Sequence, residues 1–260
     1  MKFSLKTLAA AIALAAAAGS ASAAIDNGQG GNGELFFSAW DGATSYTYDM
    51  NTTIDAFEAS KNAAGNLDLV WGADFMSGYG SWVANANTSS LQWSVLAMDS
   101  SGQRRILATV GSSMTATNSR IDALRNGVTQ TQSYLANING VISGNSFVVT
   151  DSSAATYAGK VGDKVFGSFN FDTTGSFINN SYASGLVFEK TTAAATGTTA
   201  LGANAAYTDD GIAVRAWVDS NNTLHIAAVQ AVPEPSEYAM LLAGLGLMGV
   251  VARRRSQKQA

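Results

Sequence analysis

Between residues 34 and 229, short apolar runs come in pairs around breaks of Asp, Gly, Ser and Asn. That rhythm constrains the fold more than any other feature of the chain, because strands joined by tight turns pair antiparallel. Glu34 to Trp40 and Thr44 to Tyr48 flank Asp41-Gly42, and Ser90 to Met98 and Gln103 to Val110 flank Asp99 to Gly102. Gly211 to Val218 and Thr223 to Val229 flank Asp219 to Asn222 in the same way. Each set predicts a hairpin. In the last, Ile212, Val214, Ala216 and Val218 alternate with Ala213, Arg215, Trp217 and Asp219, the period of two of a strand with one buried face. Asn66 to Phe75, Ser146 to Thr150, Lys164 to Phe171 and Gly185 to Lys190 are further strand candidates.

One stretch departs from this pattern. Ile121, Leu124, Val128, Thr131, Leu135 and Ile138 recur at steps of three and four, with Asn118 or Ser119 ahead and Gly140 behind. This predicts an amphipathic helix over about 119–139. A second, short helix is expected near Thr53 to Lys61. The expected body is mainly β: a single antiparallel β-sandwich-like domain with one packed helix, spanning residues 24–231. Phe36, Trp40, Trp71, Trp93, Phe169 and Trp217 are its aromatic core candidates. Gly28 to Gly33 reads as a flexible lead-in; no strand precedes it and no Lys-Ser/Thr follows, so it is not a phosphate loop. Thr191 to Thr199 lacks periodicity and reads as an exposed loop.

Cysteine is absent and His225 is the single histidine. Without disulfides the body must rest on its core, and thiol-based metal and nucleophile chemistry is excluded. Residues 24–232 hold nine Lys and Arg against seventeen Asp and Glu, a net charge of −8. Such a body repels nucleic acid and anionic lipid.

The two ends read differently from the body. Lys2 and Lys6 precede an apolar run from Thr7 to Ala18; Gly19-Ser20 then breaks it, and Ala21-Ser22-Ala23 follows. This is the order of a secretory leader, with a small-x-small site for signal peptidase at Ala21 and Ala23 and residues 1–23 removed. At the other end stand Val232-Pro233-Glu234-Pro235-Ser236, an uncharged apolar segment from Ala239 to Ala252, and Arg253-Arg254-Arg255. Both prolines of the chain lie here. They hold Val232 to Pro235 extended. The apolar segment, flanked by Tyr238 and the arginines, predicts a transmembrane helix with its basic end cytoplasmic.

Residues 232–255 resemble the PEP-CTERM sorting signal of Gram-negative bacteria that make exopolysaccharide. The resemblance implies that an exosortase reads Pro233, Glu234 and Pro235, and that Arg253, Arg254 and Arg255 form the basic stop. The helix is then removed after a transient stay in the inner membrane, and the protein passes to the cell surface or matrix. The motif is an address carried by unrelated bodies, and it covers about a tenth of the chain.

No catalytic set emerges from the body. His225 lies in a predicted strand with no Gly-x-Ser-x-Gly elbow, and no carboxylate pair stands in a recognisable signature for glycoside hydrolysis. Asp209-Asp210-Gly211 and Asp219-Ser220-Asn221 have oxygens suited to calcium, the one cofactor considered, but read as ordinary turns. Tyr46, Tyr48, Tyr79 and Trp82 lie in or near turn-rich stretches and permit a sugar-binding reading, although aromatics in a β domain are more often core. The expected function is therefore a non-enzymatic surface or matrix protein supporting exopolysaccharide or biofilm structure. The alternatives are a carbohydrate-binding or adhesion module and, behind it, an extracellular polysaccharide hydrolase.

Overall fold

The computed structural model describes residues 24–61, 67–110, 131–142, 146–161, 181–192, 203–229 and 248. The chain divides into two compact units, Met1–Val229 and Gln230–Ala260. Of the second only Met248 is described, so the fold belongs to the first. Its strands are β1 (Glu34–Trp40), β2 (Thr44–Thr53), β3 (Asp68–Trp71), β4 (Gln92–Met98), β5 (Arg105–Val110) and β6 (Phe147–Asp151). They continue with β7 (Leu186–Thr192), β8 (Ala203–Ala206), β9 (Thr208–Asp209), β10 (Ile212–Ala213), β11 (Arg215–Val218) and β12 (Leu224–Ala227). The helices are α1 (Ile54–Lys61), α2 (Ala73–Val83), α3 (131–139) and α4 (Ala158–Val161), with a 3-10 turn at Tyr182–Ser184.

All three predicted hairpins form, as β1–β2, β4–β5 and β11–β12, although the strand expected over Gly211 to Val218 divides into β10, which pairs with β9, and β11. They do not face one another as a sandwich. Ten strands join in one antiparallel sheet, ordered β3-β12-β11-β7-β5-β4-β1-β2-β6 with β8 beside β7, while β9 and β10 form a small ribbon. The sheet curls into a half-barrel. Trp71 Nε1 of β3 donates to the Met50 carbonyl of β2 at 3.1 Å, although those strands lie near opposite ends of the sheet order. Helix α2 packs against β2, β3 and β6 and fills the opening between them.

Each face of the sheet carries its own core. Leu35, Phe37, Tyr46, Tyr48, Trp93, Val95, Leu107 and Phe188 point into the curl, where Ile54 and Phe57 of α1 and Phe75, Tyr79 and Trp82 of α2 join them. On the outer face, Phe36, Trp40, Leu96, Met98 and Ile106 meet Tyr134, Leu135 and Ile138 of α3, together with Ile25 and Tyr157. Every residue of β1 is buried for that reason. Helices cover both faces, which is why no second sheet is needed to complete the core.

The predicted helix is present in its described part: Thr131, Leu135 and Ile138 are buried. Ile121, Leu124 and Val128 lie outside the described residues, as do Lys164 to Phe171 with Phe169, residues 193–199, the leader and, Met248 apart, the apolar tail segment. Thr191 and Thr192, expected in a loop, close strand β7. Among the described residues no helix is long and apolar enough to cross a membrane.

Two expectations are corrected. Asn66 to Phe75 is not one strand: β3 ends at Trp71, and Phe75 belongs to α2. Phe75, Tyr79 and Trp82 follow at helical spacing and bury one face. Gly78 lets that helix close on the sheet, since a Cβ there would stand 2.8 Å from the Phe147 ring. Nor is Gly28 to Gly33 a loose lead-in. Gly28 has φ +70°, and a Cβ on it would meet the Met98 carbonyl oxygen at 1.9 Å. Its own carbonyl accepts the N–H of Gly31 at 3.1 Å and of Ser100 at 2.9 Å. Only glycine fits that turn.

Candidate functional site

The two acidic turns are engaged by the fold. Asp210 and Gly211, at φ +48° and +79°, turn the chain from β9 to β10, and the Asp209 carboxylate accepts the Leu67 N–H at 2.5 Å. Asp219 Oδ1 accepts the N–H groups of Asn221 at 2.8 Å and Thr223 at 2.9 Å. Burial works against its charge, but those donors and His225 outweigh it and hold the carboxyl below the usual range. Both oxygens of Asp219 and one of Asp209 are thus bonded within the fold. Among the described residues no group of three or more His, Asp or Glu side chains is arranged to hold a metal ion.

His225 stands on the outer face of β12, 3.2 Å from Asp219 Oδ2. Its ring stacks on Trp217 of β11 at 4.8 Å and 4°. The Tyr182 ring meets Trp217 edge-on at 5.8 Å, and the Arg215 guanidinium lies 5.8 Å from the Tyr182 centroid. The histidine braces the β11–β12 hairpin through stacking and one carboxylate.

The four aromatics considered for sugar stacking are all buried in the inner core. Tyr46 packs against Phe75 at 5.8 Å and Tyr79 at 5.6 Å, and Trp82 Nε1 donates to Thr44 Oγ1 at 3.0 Å. Burial pushes the Tyr48 hydroxyl up to about 12 and those of Tyr46 and Tyr79 higher still. These rings offer no platform to a sugar.

The most perturbed acid has no motif in the sequence. Asp49 faces outward from β2 opposite Phe36 and is only 2% exposed. Burial pushes its carboxyl up to about 6; the Asn51 N–H at 2.8 Å pulls it back, and the Glu34 charge adds to the rise. Glu34, beside a bulge in β1, is also raised by burial, against the Asp26 N–H and with the help of the Asp26 charge. Glu34 and Asp49 are thus two buried carboxylates that both resist ionisation.

That raised value has a sign. A carboxyl with a higher pKa in the fold contributes stability below its unfolded value, about 4, and the contribution is lost as pH rises through about 6. At neutral pH the burden is about 2 kcal/mol. In the chain that retains its leader, Asp49→Asn keeps an acceptor for Asn51 and removes the charge. It is expected to raise Tm by about 5 °C at pH 7.5 and to leave it nearly unchanged near pH 4, as read by thermal scans at the two pH values.

The functional signal that comparison with known proteins supports lies, Met248 apart, outside the described residues. Residues 231–255 match the PEP-CTERM protein-sorting motif, a span that contains Pro233, Glu234, Pro235 and Arg253 to Arg255. No curated protein and no solved structure matches the chain, and the body has no named family. A motif of this kind marks an exported protein that is anchored in the membrane before an exosortase processes it. Ala21 and Ala23 also lie outside the described residues.

Proposed function

We propose that this is a non-enzymatic component of the cell surface or extracellular matrix of a Gram-negative bacterium, lending structure to exopolysaccharide or biofilm. The sorting motif at 231–255 carries this reading. In it, signal peptidase cuts after Ala23 and exosortase recognises Pro233-Glu234-Pro235. The segment Ala239 to Ala252 holds the chain transiently in the inner membrane, with Arg253 to Arg255 as the stop. A body of charge −8 does not bind acidic polymers by charge, so its contacts with polysaccharide run through the hydroxyls and amides of its Ser, Thr and Asn residues. No cofactor enters this reading. The carbohydrate-module alternative takes second place because the four rings offered for it are spent in the core. Fractionation of a biofilm from the host tests the proposal: the mature protein is expected in the polysaccharide fraction, and a deletion strain is expected to make a looser matrix. Protein found only free in the medium, with an unaltered matrix in the deletion strain, would refute it.

A further inference from the structure

The segment that follows the leader is built into the fold. Ala24 is exposed, whereas Ile25 is 1% exposed and belongs to the outer core. The Asn139 side chain, at the end of α3, grips the Ile25 backbone on both sides, accepting its N–H at 2.8 Å and donating to its carbonyl at 2.8 Å. The Asp26 N–H donates to Glu34 Oε2 at 2.7 Å, and the Glu34 N–H returns to the Asp26 carbonyl at 3.0 Å. Gln132 of α3 reaches the Asn27 carbonyl at 3.4 Å. Ile25, the residue directly after the first that cleavage at Ala23 would leave, is therefore anchored in the outer core, while Asp26 beyond it is exposed.

We propose that release of the leader creates a docked terminus: the Ala24 α-ammonium settles against the Glu34 carboxylate and locks the Ile25 strap onto the outer core. In the cleavage, water splits the Ala23–Ala24 amide; the carboxylate departs with Ala23, and the amine stays on Ala24 and takes up a proton. Two residues of extended chain span at most about 7 Å, so this ammonium forms within that distance of the Asp26 nitrogen, itself bonded to Glu34. The groups that meet the strap are Glu34 from β1 and the neutral Asn139 and Gln132 from α3, with Asp26 on the strap itself; Ser100 of the β4–β5 turn bonds Gln132, and Asp49 of β2 feels the Glu34 charge. Cleavage thus generates a positive charge two residues from the backbone N–H that the buried Glu34 carboxylate accepts. The inference rests on the cleavage position read from the sequence and is independent of the matrix role.

The sign follows from the amine. Its ordinary pKa is about 7.8 and pairing raises it, so the added stability is present below that value and is lost as pH rises through the raised one. The test compares the chain Ala24 to Ala260, freed from a carrier by a protease that leaves Ala24 first, with the same chain extended by Gly-Ser, both in mild detergent. The free terminus is expected to melt about 4 °C higher at pH 7. That difference should vanish at pH 10 and in the Glu34→Gln/Asp49→Asn double variant of both chains. Equal melting at pH 7 would overturn the proposal. So would a difference that survives pH 10 or the double substitution, since the extension would then act through its bulk and not through charge. Because the carrier fixes the terminus, the result does not depend on where the host sends the protein.

Discussion

Phe37→Ala is expected to lower the unfolding free energy by about 4 kcal/mol, roughly 10 °C in Tm. Phe37 sits at the centre of the curl, fully buried on β1. Its ring lies 5.0 Å from Phe75, 5.7 Å from Tyr79 and Trp93, and 6.2 Å from Tyr46. These neighbours come from α2, β4 and β2, so the hole left by truncation is walled by rigid rings that cannot collapse into it. The edge-on contacts with Phe75 and Tyr79, at 90° and 88°, are lost as well. Phe37→Leu should recover about half of the loss, and Val149→Ala, at an exposed position, should change stability by less than about 0.5 kcal/mol. Urea unfolding, read as a lowered midpoint at unchanged slope, checks all three.

Arg105→Met is expected to cost about 4 kcal/mol, because it strands a buried charge. Arg105, on β5, is 3% exposed. Its Nε reaches Asp99 Oδ2 at 2.8 Å, its backbone N–H donates to Asp99 Oδ1, and its Nη1 reaches Asp55 at 2.6 Å and Glu58 at 3.3 Å. The three acids do not contribute equally. The Asp55 side chain is 61% exposed and its pairing is weak. Glu58 keeps Lys190 at 2.5 Å and the Tyr207 hydroxyl at 2.9 Å. Asp99, with its side chain 1% exposed, loses its guanidinium partner. Adding Asp99→Asn to Arg105→Met should therefore restore more than half of the lost stability. If the two substitutions were simply additive in urea unfolding, the pair would not be the source of the effect.

The hairpins were legible because their signals are local. Asp41-Gly42 and the polar breaks at 99–102 and 219–222 sit between runs whose alternation reports a buried face. The outer face of β2 was not. Ser45, Thr47 and Asp49 are polar and alternate along β2, yet they are buried. Ser45 bonds to Thr150 at 3.0 Å, Thr47 to the Tyr134 hydroxyl at 2.5 Å, and Asp49 to the Asn51 N–H. Polar residues that satisfy one another across elements look in sequence like residues that meet water. Helix α2 was hidden because Gly78 and Gly80 interrupt it and Gly72, at its start, offers no side-chain cap. The choice between sandwich and half-barrel turns on contacts such as Trp71 to Met50, which no period in the sequence records. Glu34 and Asp49 escaped notice for the same reason, since only the pairing of β1 with β2, which sets Asp49 opposite Phe36 beside the bulge at Glu34, relates them. The sorting motif was readable outright because it is a linear signal that needs no tertiary partner to be recognised.

The central claim is that the chain is an exported exosortase substrate, and mass spectrometry of the protein from its native host tests it most directly. Cell and medium fractions are compared for the wild type and for a Pro233→Ala/Glu234→Ala/Pro235→Ala variant. The account predicts a wild-type species that begins at Ala24 and lacks the apolar segment after Tyr238, with the intact tail accumulating in the cell fraction of the variant. An intact tail in both proteins would contradict it and make the C-terminal segment a plain anchor.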